Sequence, residues 1–177
     1  MNILAIDTCT EVVSITLYAS GVKTSRKVSD IAKSSGHILK LCDEVFSETD
    51  IKLSEVDFIA YTKGPGAFTG VRMCIGVVQG LSLSCNLPTL GFSTLELLGY
   101  RASRKFNTQK IATAIDARMG EIYWAIYLDG LVKSERICRP EQVDKLGAEF
   151  VGVGSGWKIY KDSLIKASEI KLSLIHI

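Results

Sequence analysis

Two aspartates and two glycine-rich turns are the residues of this chain whose types and spacing suit chemistry. Asp7 ends an apolar run in LAIDTCTE (4–11), and Asp116 ends another in AIDARMGE (114–121). A carboxylate at a strand end suits a general base or a magnesium ligand. Between them lies TKGPGAFTGVR (62–72), and GVGSGW (152–157) follows the second aspartate. The first turn is not a Walker loop, because no lysine follows a glycine at the required spacing and Val71 comes after Gly70. It is not the dinucleotide fingerprint either, since its glycines read G-x-G-x-x-x-G and the third comes one place late. What remains is a strand-to-helix turn with two uses. Its N–H groups can hold an anion, or Gly64 and Gly66 supply unusual dihedrals and Pro65 a fixed one for tight packing. The residues alone favour the packing turn.

Other chemistries find less. The two histidines, His37 and His176, lie far apart with no acidic companions at ligand spacing, and no HExxH is present. Ser14, Ser93 and Cys74 have no histidine in a context that suggests a triad. The five cysteines form no CxxC pair, so buried free thiols are expected rather than disulfides or a zinc site. Net charge is +2, with one dense basic cluster, Arg101, Arg104 and Lys105, spaced to share a helix face. As a helix C-terminus such cations complement the helix dipole; as a nucleic-acid footprint three residues are few. MNILAIDT has no basic leader and is not expected to be a signal peptide. No segment is expected to reach the roughly 18 apolar residues of a membrane span, which makes no membrane contact and a cytoplasmic location the expectations.

The elements that must position these residues are legible from periodicity. Runs at 3–7, 12–18 and 22–28 alternate as an antiparallel opening sheet. From Ser35, Ile38, Leu41, Cys42, Val45 and Phe46 recur at helical spacing. A strand over 58–62 enters the glycine turn, a helix follows over about 69–84, and Pro88 ends it before a short strand at 90–92. Ser93 or Thr94 then caps a helix running toward Lys105. Residues 111–130 repeat residues 2–21 at an offset of 109, which sets Ala5, Ile6, Asp7, Tyr18 and Gly21 on Ala114, Ile115, Asp116, Tyr127 and Gly130. The chain therefore reads as an α/β protein with a duplicated fold, a first lobe over 1–106 and a second over 107–177. The second lobe is expected to continue with a strand over 131–137, a short helix near 140–146 and a strand over 150–153.

Duplicated hairpin lobes with facing aspartates and strand–glycine–helix turns resemble the actin-like (ribonuclease H-like) ATPase superfamily. Within it, LAIDTCTE, KGPGAFTGVR, QGL (79–81) and AIDARMGEIYWA (114–125) resemble the TsaB (YeaZ) family of tRNA threonylcarbamoyladenosine biosynthesis proteins. The resemblance runs to about residue 160, and Ala67 stands where the family usually has serine. The tail SEIKLSLIHI has no recognisable counterpart, so the second lobe is expected to be truncated.

The resemblance implies a non-catalytic subunit that activates TsaD, the paralogue that transfers threonylcarbamoyl to an adenosine beside the tRNA anticodon. TsaD holds its metal with an H-x-x-x-H pair that this chain lacks. A TsaE-like P-loop ATPase would dock on the pair, tRNA would reach this subunit indirectly, and the isolated chain could form a homodimer or stay a monomer. The implied partner interface uses the helices over 35–47 and 69–84, with Ile38, Leu41, Val45, Arg72, Met73, Gly76, Val77 and Gly80. No tightly bound cofactor is implied. A nucleotide or anion at the partner interface would meet Asp7, Thr8, Gly64, Gly66, Thr69 and Asp116. The competing reading is an actin-like ATP-dependent phosphotransferase using Asp7 and Asp116. Against it, actin-like enzymes have glycine two residues after the aspartate, whereas Cys9 and Arg118 stand here, each with a Cβ that crowds a phosphate.

Overall fold

A computed structural model describes residues 1–29, 37–170 and 172–174. The chain divides into two compact units, Met1–Ser93 and Thr94–Ile177. In the first, β1 (Ile3–Asp7), β2 (Val13–Ala19), β3 (Val22–Val28), β4 (Phe58–Thr62) and β5 (Thr89–Phe92) form one sheet in the order β3-β2-β1-β4-β5. β1 is antiparallel to β2, as the opening alternation implies, and parallel to β4, so the sheet as a whole is mixed. Helices α1 (Ile38–Thr49) and α2 (Phe68–Cys85) supply the remaining core. Leu4 and Ile6 of β1 and Val13, Ile15 and Leu17 of β2 point to one side. There they pack with Ile38, Leu41, Cys42 and Val45 of α1 and with Cys74 and Val78 of α2. Each such aliphatic side chain contributes about 1.5–3 kcal/mol on full burial.

The second unit repeats the plan. Helix α3 (Thr94–Phe106) is followed by β6 (Lys110–Arg118), β7 (Glu121–Leu128), β8 (Leu131–Cys138), β9 (Val151–Val153), α4 (Ser155–Ile159), α5 (Lys161–Ser168) and β10 (Leu172–Leu174). The sheet order β8-β7-β6-β9-β10 matches that of the first sheet, with the same parallel and antiparallel pairings about its central strand. Two lobes of one plan are present, as the repeat implies. The offset of 109 carries Val13 to Ile122 and Val22 to Leu131, the starts of β2 and β3 onto those core and edge strands of the second sheet. Both turns that follow have one geometry: Ser20 and Gly21 have φ of 51° and 83°, Asp129 and Gly130 the same 51° and 83°. These are two-residue hairpins of the primed type, whose twist suits the flanking strands.

Three expectations need correction. The boundary falls at Ser93/Thr94 rather than 106/107, because α3 packs on β6 and β7: Ala102 is buried with Ile111 and Tyr127. Gly99 allows that approach, since a Cβ there would meet the Tyr127 ring at 2.7 Å. The second lobe does not lack a fifth strand, because Leu172–Leu174 pairs parallel with β9, in the place β5 holds beside β4. The helix expected near 140–146 is only a 3-10 turn at Pro140–Gln142. The start of the first helix at Ser35 lies outside the described residues, and so does His176.

The second core has two sides. Ile122 and Trp124 of β7 pack with Trp157 of α4 and Leu164 of α5, while Ile111, Tyr127, Val151 and Val153 pack with α3. Both indoles are satisfied: Trp157 Nε1 donates to the Ala112 carbonyl at 3.1 Å and Trp124 Nε1 to Asp144 Oδ2 at 3.0 Å. Burying these rings therefore leaves no indole N–H unpaired.

Candidate functional site

The first aspartate turn is built by β1, β4 and the start of α2. Asp7 Oδ1 accepts a hydrogen bond from the Cys9 amide at 3.0 Å and from Thr62 Oγ1 at 2.7 Å. Thr8 is fully buried, and its hydroxyl donates to the Gly70 carbonyl at 2.5 Å. The Ala67 amide donates to the Cys9 carbonyl at 2.9 Å. The glycines explain themselves against this frame. A Cβ on Gly66 would lie 2.1 Å from the Cys9 carbonyl oxygen, and one on Gly70 would lie 2.0 Å from that of Thr8. Both distances are far inside van der Waals contact. The glycines of TKGPGAFTGVR thus let α2 close on the β1 turn, backbone against backbone. Two carbonyl oxygens face the turn, an environment that repels an anion. Gly64 has φ +95° and precedes a cis proline, and Thr69 is exposed on the first turn of α2. The Thr8 side chain, fully buried with its proton given to Gly70, is closed to a ligand and leaves the set of nucleotide contacts.

The second aspartate turn repeats the hydrogen bond. Asp116 Oδ1 accepts from the Arg118 amide at 3.0 Å, the distance found at Asp7. The Tyr160 hydroxyl donates to the same oxygen at 3.2 Å, and the Asp116 amide donates to Ser155 Oγ at 3.2 Å. Partial desolvation, and then the Asp116 carboxylate beside it, raise the Tyr160 phenol above its ordinary value. The Arg118 guanidinium lies 3.3 Å from Asp116 Oδ2. Again glycines serve contact: a Cβ on Gly154 would sit 2.3 Å from the Ala114 carbonyl oxygen. Both aspartates therefore organise their own turns, as short polar side chains do where the backbone needs an acceptor. Among the described residues no group of three histidine, cysteine, aspartate or glutamate side chains is placed to hold a metal ion.

The remaining candidates lie on the two helices of the first unit. Ile38, Leu41 and Val45 are 2%, 6% and 0% exposed. They belong to the lobe's own core and cannot meet a partner, so the expectation for these three is corrected. Leu39, at 56%, is the apolar residue that α1 turns outward. Helix α2 behaves differently. Cys74 and Val78 face the core, Met73 and Val77 flank it, and Arg72, Gly76 and Gly80 are exposed. Phe68 and Leu83, 72% and 83% exposed, extend the same stripe toward the two ends of the helix. The Arg72 guanidinium covers the Phe68 ring at 3.4 Å. Between α2 and β5 a depression of about 420 Å³ is lined by Tyr61, Ile75, Val78, Gln79 and Leu83 among others. Sequence reasoning missed Phe68 and Leu83, because a helix apolar on nearly every side carries no phase to say which side is out. The helix has 18 residues and a mean hydropathy of 1.3, with 17% of it buried. By length and composition it passes as a membrane span, which corrects the expectation that no segment does.

Thiol chemistry is suppressed by burial. It pushes the Cys74 thiol up to about 12, and burial with Asp43 beside it pushes Cys42 to about 12. Neither is a nucleophile at neutral pH.

The TsaD family model, tRNA N6-adenosine threonylcarbamoyltransferase, matches residues 30–175. The tRNA threonylcarbamoyladenosine biosynthesis protein TsaB of Escherichia coli (strain K12) is 37% identical over 172 residues, spanning 92% of this chain and 74% of that protein. The chain belongs to the TsaB (YeaZ) family. The TsaB of Buchnera aphidicola subsp. Schizaphis graminum (strain Sg) is 33% identical over 183 residues, 96% of this chain and 86% of that protein. A crystal structure of a Pseudomonas aeruginosa protein with similarity to peptidase YeaZ matches with a TM-score of 0.89 at 36% identity. It covers 99% of this chain and 84% of that one. The surface features of this chain on which a functional reading can rest are the open stripe on α2 and the two self-bonded aspartate turns.

Proposed function

We propose that this chain is a non-catalytic activating subunit in the formation of threonylcarbamoyladenosine in tRNA, pairing through α2 with a TsaD-like catalytic paralogue. The observation that carries the reading is the exposed stripe of Phe68, Arg72, Gly76, Gly80 and Leu83 on a helix whose other side is core. From Phe68 to Leu83 it runs about 22 Å at 1.5 Å per residue, the length that one helix crossing an interface needs. A Cβ at Gly76 or Gly80 would meet no atom within 4 Å, so neither glycine is there for the lobe's own packing. Glycines four apart let a second helix approach closely. A membrane span would require pulling Cys74 and Val78 out of the core and placing Arg72 in lipid, so a protein partner suits this helix better. A TsaE-like P-loop ATPase would then engage the pair, a second copy would cover the stripe when the paralogue is absent, and the setting would be cytoplasmic.

The non-catalytic part of the proposal is supported by the aspartates. Asp7 Oδ1 and Asp116 Oδ1 each accept two hydrogen bonds from within their own lobe, which gives both carboxylates a structural task, and the backbone around Asp7 presents carbonyls rather than anion-binding amides. The rival phosphotransferase reading keeps Asp7 and Asp116 as its acids and predicts tight magnesium–ATP binding by the chain alone. Calorimetry is expected to find none.

The deciding experiment is light scattering on a sizing column with Gly76→Leu, the paralogue present. The wild-type chain forms a one-to-one species. The variant keeps its circular dichroism and elutes apart from the paralogue. An intact complex with Gly76→Leu would remove α2 from the interface.

A further inference from the structure

We infer that α3 carries a second docking surface, for the phosphate backbone of RNA. Its outward face is Leu97, Tyr100, Arg101, Arg104 and Lys105, at spacings of three, one, three and one, so all five lie on one side of the helix. Opposite them Leu95, Gly99, Ala102 and Ser103 are buried. Leu97 and Tyr100 are 37% and 50% exposed. Among the described residues no carboxylate lies within ion-pair distance of Arg101, Arg104 or Lys105, and these three share one helix face, whereas the other cations of the unit are paired or scattered. Lys110 meets Glu149, Arg136 meets Asp144 and Lys145 meets Glu169. The helix dipole accounts for Arg104 and Lys105, which stand in the last turn, but not for Arg101.

The Tyr100 ring selects among anionic partners. Arg104 is drawn to it, its Nη1 donating to the Tyr100 hydroxyl at 3.3 Å with the guanidinium 5.9 Å from the ring centre. An exposed aromatic ring beside guanidiniums that hold no carboxylate is the combination that binds single-stranded RNA: the ring stacks a base and the cations track the phosphates. The surface adds to the proposed function a direct contact with RNA where the sequence implied only an indirect one. It rests on that function for which RNA is bound, and on α3 alone for binding itself.

The test is fluorescence polarisation of the full chain against a labelled, unmodified tRNA transcript between 50 and 200 mM KCl. Three phosphate contacts give a loss of affinity of about 20- to 40-fold across that range, and two give about 7- to 12-fold. Arg101→Gln is therefore expected to lower affinity and to flatten the salt dependence from the first range to the second. Gly76→Leu is expected to change neither. The triple variant Arg101→Gln, Arg104→Gln, Lys105→Gln, with an unchanged melting temperature, abolishes binding. The inference is overturned if no binding appears at 50 mM KCl or if the triple variant binds as before. Tighter binding to phosphatidylserine vesicles than to tRNA overturns it too. If Gly76→Leu still pairs with the paralogue while the salt series behaves as expected, the interface reading falls and this one stands.

Discussion

Gly70→Ala distinguishes a packing turn from an anion cradle most sharply. The new Cβ would lie 2.0 Å from the Thr8 carbonyl oxygen and 3.1 Å from its carbon, with the Ala67 Cβ at 3.6 Å on another side. The obstruction is backbone, so no side-chain rotation relieves it; the start of α2 must retreat from β1 by about an ångström. That retreat breaks the Thr8–Gly70 and Ala67–Cys9 hydrogen bonds, worth about 1 kcal/mol each, and adds about 1–3 kcal/mol of overpacking strain. The helix preference of alanine over glycine returns up to about 1 kcal/mol. The net loss is about 2–4 kcal/mol, a large share of the roughly 5–15 kcal/mol that holds a domain together. At about 2–4 °C per kcal/mol for a chain of this size, the melting temperature falls by about 4–16 °C. Gly80→Ala supplies the internal control. Its Cβ meets nothing within 4 Å, so the same chemical change on the same helix raises stability by up to about 1 kcal/mol. Differential scanning calorimetry on the three proteins, with and without 10 mM phosphate, reads both signs at once. A Gly70→Ala melting temperature within 1 °C of wild type would refute the packing reasoning. So would a rise of several degrees in the wild-type chain on adding phosphate, since only a site that binds the anion is stabilised by it.

Other consequences are accessible to similar measurements. Met119 has φ 54° in the two-residue turn between β6 and β7 and is 98% exposed. Met119→Asn, a residue that tolerates this conformation, is expected to raise stability by about 1 kcal/mol by urea titration; an unchanged midpoint counts against strain there. The thiols of Cys42 and Cys74, held at about 12, expose a thiolate fraction of about 10⁻⁴ at pH 8. Iodoacetamide followed by mass spectrometry should find both unlabelled in the native protein and labelled in 6 M guanidinium. At Asp144, burial opposes ionisation, but the hydrogen bonds from Arg136 and Trp124 outweigh it and hold the carboxyl below its ordinary value of 3.8. A depressed value means stability present above about pH 4 and lost as the pH falls through the lower folded-state value. Asp144→Asn should therefore be destabilised relative to wild type at pH 7 and level with it near pH 2. A deficit that persists at pH 2 would show that geometry, not charge, carries the effect.

How far the sequence discloses this molecule depends on whether a residue's role is local. The paired aspartates were legible because an Asp accepting the amide two residues on is a local device, and it recurs at an offset of 109 with the same 3.0 Å bond. The α1 pattern was legible too, but its use was not. Ile38, Leu41 and Val45 announce a buried face without saying whether their own lobe or another chain buries it, and here the lobe does. For α2 even the phase was hidden, since apolar residues occupy most positions and only packing against β1 and β4 shows that Phe68, Gly76 and Leu83 are outside. The allocation of α3 could not be read from its spacing either, because both a first-lobe and a second-lobe helix would show the same period. What decides it is the partner of Gly99, a Tyr127 ring 28 residues further along the chain. That dependence explains why the two proposed surfaces stand apart in the kind of support they have. On α2 a glycine with no neighbour is informative because the helix's own Gly70, and Gly66 just before it, have backbone against them. On α3 three cations without carboxylates are informative because they share one face of one helix with an exposed ring, where the unit's other cations are paired or scattered. In each case the signal is a departure from how this chain itself packs and pairs, which is a comparison that needs the fold.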